Sequence, residues 1–344
     1  MKQVMFPKAG RSSVMRVEEH PDPVPGPGQV LVDVRAAGVN FADVIARTGI
    51  YPDAPPFPFC PGYEVAGLVA ALGQGVSNVA VGDRVLALTK FGGYSTRALA
   101  DARILAKVPE RLSFQQAAAI PVNYLTAWHA LVVLGNLRPG ERVLIHAAAG
   151  GVGVAALQIC KHKQAGQILG TASPGKHARL KSLGLTDAID YTKDDVAAEV
   201  KRLTGGKGVH VALDAVGGKS FTDSYRSLCT SGRMVCFGIS SFTGGGKMNL
   251  WKAATGWLRT PKFDSIKLME QNKGVFGLNM LTTAEAEPEL VAGELREVVR
   301  LCGEGVLDPT IDLAVPYTEA ARAHDRLEGR GNFGKVVLDF SLHP

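Results

Sequence analysis

The stretch "IHAAAGGVGVAALQIC", residues 145–160, decides the fold. It completes an apolar run, "ERVLIHA", that reads as a buried strand, and it ends in small and apolar residues at helical spacing. Between strand and helix, Ala148, Gly150 and Gly153 occupy the three slots of a G-x-G-x-x-G turn. A small residue in the second slot lets backbone approach a pyrophosphate. The third lets the helix pack on the sheet, and the helix N-terminus then faces the phosphates. Alanine in the first slot departs from the motif. With strand and helix both present, the turn is a predicted dinucleotide site built from Ala149, Gly150, Gly151, Val152 and Gly153.

The next strand selects the nucleotide. An NAD site places an acid about 20 residues beyond the turn, on the ribose hydroxyls. No Asp or Glu occurs between Glu141 and Asp187. Ser173 and Lys176 stand there instead, in "GTASPGKHARL", with Arg179 close by. A cation and a hydroxyl suit a 2′-phosphate through charge-assisted hydrogen bonds. The predicted cofactor is NADPH.

Beyond this turn the chain reads as two different halves. From Ser113 onward, strands such as "GQILGTA", "VHVALDAVG" and "GRMVCFGIS" alternate with helices such as "KHARLKSLG", the pattern of a doubly wound parallel sheet. Ser113 with Gln116 forms a capping box that predicts a helix start. The first third is all-β in expectation. Val30, Val32 and Val34 alternate with more polar neighbours, and short strands follow between Gly-rich turns, suggesting a small barrel. A closing helix near Thr318 and a final strand "GKVVLDF" are expected, the strand returning to that barrel.

Bulk properties narrow the function. A chain of 344 residues suggests two domains, and no apolar run approaches the ~18 residues of a membrane span. The N-terminal residues show no apolar core with a small-residue cleavage site, so no secretory signal is expected. The cysteines, at 60, 160, 229, 236 and 302, form no CxxC pair and fit a reducing cytoplasm. The net charge of +6 is scattered along the chain, which suits an anionic small molecule better than a nucleic acid.

"GVNFADVIARTGIYP", "PGYEVAG", "GDRV", "HAAAGGVG", "GTAS" with Lys176, and "GKVVL" together resemble the zinc-independent quinone oxidoreductases, zeta-crystallin-like members of the medium-chain dehydrogenase/reductases. "PVNYLTA", "GNLRPGE" and "NFGKVVL" are similar to the vesicle amine transport protein branch. The resemblance spans nearly the whole chain. It implies a chaperonin-10 (GroES)-like barrel over 1–122 and 284–344, a Rossmann NADPH-binding domain over 123–283, an active-site cleft between them, and a homodimer. Zinc-dependent relatives carry Cys, His and Cys where this chain has Asn40, Tyr63 and Asn123. Two amides and a phenol do not replace thiolates and imidazole, so no zinc is expected.

Without a metal, reduction of an electron-poor acceptor is the expected chemistry, a quinone or a carbon–carbon double bond conjugated to a carbonyl. The resemblance implies Asn40 and Tyr51 as hydrogen-bond donors at the catalytic centre, with Asn40 favoured as a cofactor contact. Ile45 stands where some relatives have a second tyrosine, against a two-tyrosine mechanism. Further implied cofactor contacts are Thr126, Tyr191, Val216, Gly238, Ile239, Phe276, Gly277, Leu278 and Asn332. Two alternatives accompany this reading. One is an enoyl-thioester reductase. The other is a non-enzymatic, NADPH-sensing protein associated with RNA or a membrane. Within "SSFTGGGKMNLWKAATGWLRTPKF", residues 240–263, Leu250, Trp251, Ala254, Trp257 and Leu258 are expected to form one helical face, for packing or for a partner.

Overall fold

Branched residues and two irregularities make β3 (Gln29–Val39) the spine of the first half of the molecule. Residues 1–242 and 260–342 are described in the structure, a computed structural model. The chain divides into two units, 1–125 with 280–342, and 126–242 with 260–279.

In the first unit, β1 (Lys2–Met5) pairs antiparallel with β2 (Arg16–Glu19). β3 joins β4 (Glu64–Leu72), β5 (Arg84–Leu88), β6 (Arg97–Asp101) and β7 (Leu105–Lys107). The closing strands are parallel neighbours, β14 (Ile311–Pro316) and β15 (Lys335–Asp339). The sheet order is β14-β15-β3-β4-β5-β7, with β6 also on β3. Register shifts between Leu31 and Val32 and between Val34 and Ala36 bend β3. Its first half meets β6 and its second half meets β15. Val30, Val32 and Val34 are buried as the alternation predicts, and Leu31 is buried too. The C-terminal strand does return to this unit, Val336 lying opposite Val39.

The all-β expectation misses one helix, Phe41–Arg47. Seven residues are too few to display a helical period, and what starts it is a cap: the Asp43 carboxylate accepts from the Asn40 N–H at 2.8 Å. The predicted box at Ser113 and Gln116 is present, but its helix covers only Phe114–Ala118. Pro121 disfavours helical backbone at Ile120 and opens a new helix, Pro121–Trp128.

Among the described residues, the second unit holds a six-stranded, fully parallel sheet. Its strands are β8 (Arg142–Ile145), β9 (Gln167–Thr171), β10 (Asp187–Ile189), β11 (Val209–Asp214), β12 (Leu228–Cys236) and β13 (Gly274–Gly277). The order β10-β9-β8-β11-β12-β13 reverses at β8, as in a Rossmann sheet. Leu144, Leu169, Ile189, Ala212 and Met234 form its core, with Val196, Val200 and Phe221 from the helices. β13 is the edge strand, and its Phe276 is 39% exposed. The expected apolar face at Leu250 to Leu258 lies outside the described residues.

The turn after β8 is tied back to β9. The Ala147 and Ala148 N–H groups donate to the Thr171 side-chain and main-chain oxygens, and Gly150 N–H donates to Ala147 O at 2.8 Å. The Gly151–His162 helix then begins. A Cβ on Gly153 would lie 2.5 Å from Ala147 O and 2.6 Å from the Ala148 carbonyl carbon, both backbone atoms. Gly153→Ala should therefore strain the turn, losing about 1–3 kcal/mol of stability. Urea unfolding followed by circular dichroism checks this, with Gly175→Ala, whose Cβ meets nothing within 4 Å, expected to unfold like the parent.

Candidate functional site

A buried charge organises the first unit. Lys335, only 3% exposed, follows a turn and enters β15 where it faces the end of β3. Its ammonium donates to Asn40 Oδ1 at 2.6 Å and Asn123 Oδ1 at 3.3 Å, and it is ion-paired with Glu64. Glu64 also accepts from Asn40 Nδ2 at 2.9 Å and from the Val122 N–H at 2.6 Å. A Cβ on Gly38 would overlap the Glu64 carboxylate, so glycine there makes room for it. Sequence reasoning did not single out Lys335. The available signal was a lysine opening an apolar strand, "GKVVLDF".

Asp43 anchors the other side of Asn40. Its carboxylate accepts from the Asn40 and Gly62 N–H groups and from the Tyr94 hydroxyl at 3.1 Å. Tyr94 in turn lies 3.3 Å from His324 Nε2. Burial pushes the Asp43 carboxyl up to about 7, against those donors and the charge of Lys335. Burial, with the nearby Arg47 guanidinium, holds His324 well below its usual range.

Aromatic rings adjoin this network. Tyr51 and Tyr63 meet edge to face with centroids 6.3 Å apart, and Tyr63 lies 5.0 Å from Phe91. Phe91 continues to Phe59 at 5.7 Å, and Phe59 to Phe57 at 5.2 Å. Burial raises both phenols, Asp53 adding to the effect at Tyr51 and Asp43 at Tyr63, so both remain neutral donors near pH 7. Ile45 is buried in the Phe41–Arg47 helix.

The donors at the three zinc positions do not fit zinc. Asn40 and Asn123 spend their carbonyl oxygens on Lys335, and an ammonium among them repels a second cation. Among the described residues, no three His, Cys, Asp or Glu side chains group as metal ligands.

In the second unit, the predicted cofactor positions fall at the carboxyl ends of successive strands. Ala149 to Gly153 follow β8, Ser173 and Lys176 follow β9, and Tyr191 follows β10. Val216 follows β11, Gly238 and Ile239 follow β12, and Phe276, Gly277 and Leu278 end or follow β13. Thr126 is apart from this row, buried in the Pro121–Trp128 helix. Asn332 belongs to the first unit and donates to Gly334 O at 3.1 Å. Asp214, passed over in the sequence, shapes the row: it accepts from the Val216 and Gly217 N–H groups and from Ser220 and Ser224 hydroxyls at 2.7 Å. Gly238 packs on it from the next strand, a Cβ there falling 2.7 Å from Ala215 O.

Residues 26–110 match the family described as alcohol dehydrogenase GroES-like domain, and 183–338 match zinc-binding dehydrogenase. The rat synaptic vesicle membrane protein VAT-1 homolog is 40% identical over 92% of this chain and 78% of its own length. The chain belongs to the medium-chain dehydrogenase/reductases. Among solved members of this family, the human VAT-1 homolog-like protein superposes with a TM-score of 0.87 at 30% identity, covering 100% and 99% of the two chains. Escherichia coli quinone oxidoreductase, solved with NADPH, gives 0.86 at 31% identity over 98% and 100%. The family description mentions zinc, while this member carries Asn, Tyr and Asn at the ligand positions.

Two outcomes follow for this member of the medium-chain dehydrogenase/reductases. Lys335→Met leaves Glu64 buried without its counter-charge and should cost about 3–5 kcal/mol in urea unfolding, and adding Glu64→Gln should recover part of the loss. Asp43, raised from 3.8 to about 7 on folding, binds its proton more tightly in the native state. Its contribution is therefore full below pH 4 and is lost as pH rises through about 7. Unfolding free energies measured from pH 4 to 8 should fall more steeply with pH in the parent than in Asp43→Asn.

Proposed function

We propose that the protein is an NADPH-dependent, zinc-independent oxidoreductase that passes hydride to a quinone or an α,β-unsaturated carbonyl compound in the cytoplasm. The observation that carries this reading is the row of predicted contacts along the carboxyl ends of β8 to β13, where open α/β sheets bind nucleotides. Gly150 adds to it. A Cβ there would meet only Ala147 O, at 3.2 Å, so the packing of the chain demands glycine far less than at Gly153. A pyrophosphate approaching the backbone would demand it. The NADPH carried by the Escherichia coli relative supports the same cofactor here.

When bound, NADPH supplies hydride from its nicotinamide. The 12-residue Gly151–His162 helix offers its N-terminal amides to the pyrophosphate, with Ala149 and Val152 lining the turn. Ser173 and Lys176 take the 2′-phosphate, and Tyr191 flanks the adenosine. Thr126, Val216, Gly238, Ile239 and the Phe276–Leu278 segment flank the nicotinamide, and Asn332 is a further predicted cofactor contact. Asn40 keeps one amide N–H after donating to Glu64, and Lys335 and Glu64 hold that amide still for the cofactor. The Tyr51 hydroxyl donates to the acceptor oxygen as negative charge develops on it. The β13 edge pairs with a second copy in a homodimer.

Steady-state NADPH oxidation by chelator-treated protein tests the reading, with an ortho-quinone and an enoyl thioester offered side by side. Turnover of the quinone is expected. Turnover of the thioester alone would make the protein an enoyl reductase. Lys176→Ala should raise the Kd for NADPH about tenfold, some 1.4 kcal/mol, and leave NADH binding unchanged. Fluorescence titration with the two nucleotides distinguishes the outcomes.

A further inference from the structure

The hydroxyl of Tyr63 is the feature that neither the packing nor the reading above accounts for. Tyr63 is 6% exposed, and at ordinary geometry its hydroxyl meets no hydrogen-bond partner. A buried polar group left this way costs stability, and in native structures it calls for an explanation. Packing alone does not supply one, because phenylalanine would fill the same space between Tyr51 and Phe91 without the orphaned group.

The surroundings suggest what the hydroxyl serves. Its neighbour is the half-buried Tyr51, whose ring meets it edge to face with centroids 6.3 Å apart. Five rings, Tyr51, Tyr63, Phe91, Phe59 and Phe57, run in continuous contact with centroids 5.0 to 6.3 Å apart. Tyr51, Phe91 and Phe57 are partly exposed, so the row offers an aromatic surface with hydroxyls at one end. Such a surface suits a flat aromatic molecule carrying a ring oxygen better than the flexible aliphatic arm of a thioester.

We propose that Tyr63 and Tyr51 form a two-hydroxyl donor site for one ring oxygen of a quinone, with Tyr63 as a catalytic residue this chain has in place of the tyrosine absent at Ile45. The inference rests on the hydride-transfer reading. NADPH gives up hydride and becomes NADP⁺, the quinone takes both electrons, and one proton from water completes the hydroquinone. Tyr63 and Tyr51 give hydrogen bonds to the oxygen that becomes anionic and keep their own protons.

Two measurements on the intact protein with Tyr63→Phe test this. In NADPH-dependent quinone reduction, kcat/KM should fall about a hundredfold while the Kd for NADPH and the melting temperature hold or the latter rises. Tyr51→Phe should do likewise, and the double variant should be little worse than either single one, as expected of groups acting as a unit. Independently of turnover, 4-nitrophenol serves as a redox-inert stand-in for the phenolate product. The parent should bind it and lower its apparent pKa, read from the phenolate absorbance, and Tyr63→Phe should bind it about tenfold more weakly without that shift. Unchanged affinity and pKa in Tyr63→Phe, or no binding by the parent, would overturn the proposal. A parent that binds 4-nitrophenol through Tyr63 but oxidises no NADPH would instead count against the oxidoreductase reading alone.

Discussion

An ammonium buried at Lys335 ties together distant segments of the first unit. Removing such a charge from water costs several kcal/mol, and only close, opposite and well-placed partners offset it. Here they are Glu64, Asn40 and Asn123, which come from a strand, a helix cap and a separate helix. The charge is compensated only when β3, β4 and β15 and the Pro121–Trp128 helix all hold their register. The same contacts immobilise Asn40, whose remaining N–H is then available in one orientation. A requirement for stability and a requirement for preorganisation are met by the same hydrogen bonds.

The residues at the expected metal positions make chemical sense in this light. Zinc would bring positive charge into the site and needs anionic or imidazole ligands around it. In this chain the positive charge is covalently attached, as Lys335, and the two amides Asn40 and Asn123 accept hydrogen bonds from it. Asp43, raised by burial to about 7, is about half ionised at neutral pH, and its charge helps keep Tyr63 protonated. Both phenols stay protonated, the state in which they can donate.

The second unit constrains its loops and turns by other means. Thr171 pins the turn after β8, and Asp214 draws the loop after β11 inward through two main-chain and two side-chain donors. Gly153 and Gly238 sit where any side chain would strike neighbouring backbone. By comparison, a Cβ on Gly150 would meet only Ala147 O, at 3.2 Å.

The doubly wound half was legible in residues 145–160 because a strand, a glycine turn and a helix in succession are local features with their own periods and steric demands. That Ser173 and Lys176, and no acid, follow β9 could be read the same way, since it depends on spacing within one strand and turn. The Phe41–Arg47 helix was not, because its start depends on a cap and its length hides its period. Lys335, Glu64, Asn40 and Asn123 are up to 295 residues apart, and nothing near any one of them names the others. Their meeting is set by how strands, a helix cap and a separate helix pack together. Local sterics and periodicity can be read along a chain, whereas the compensation of a buried charge exists only once distant segments have packed.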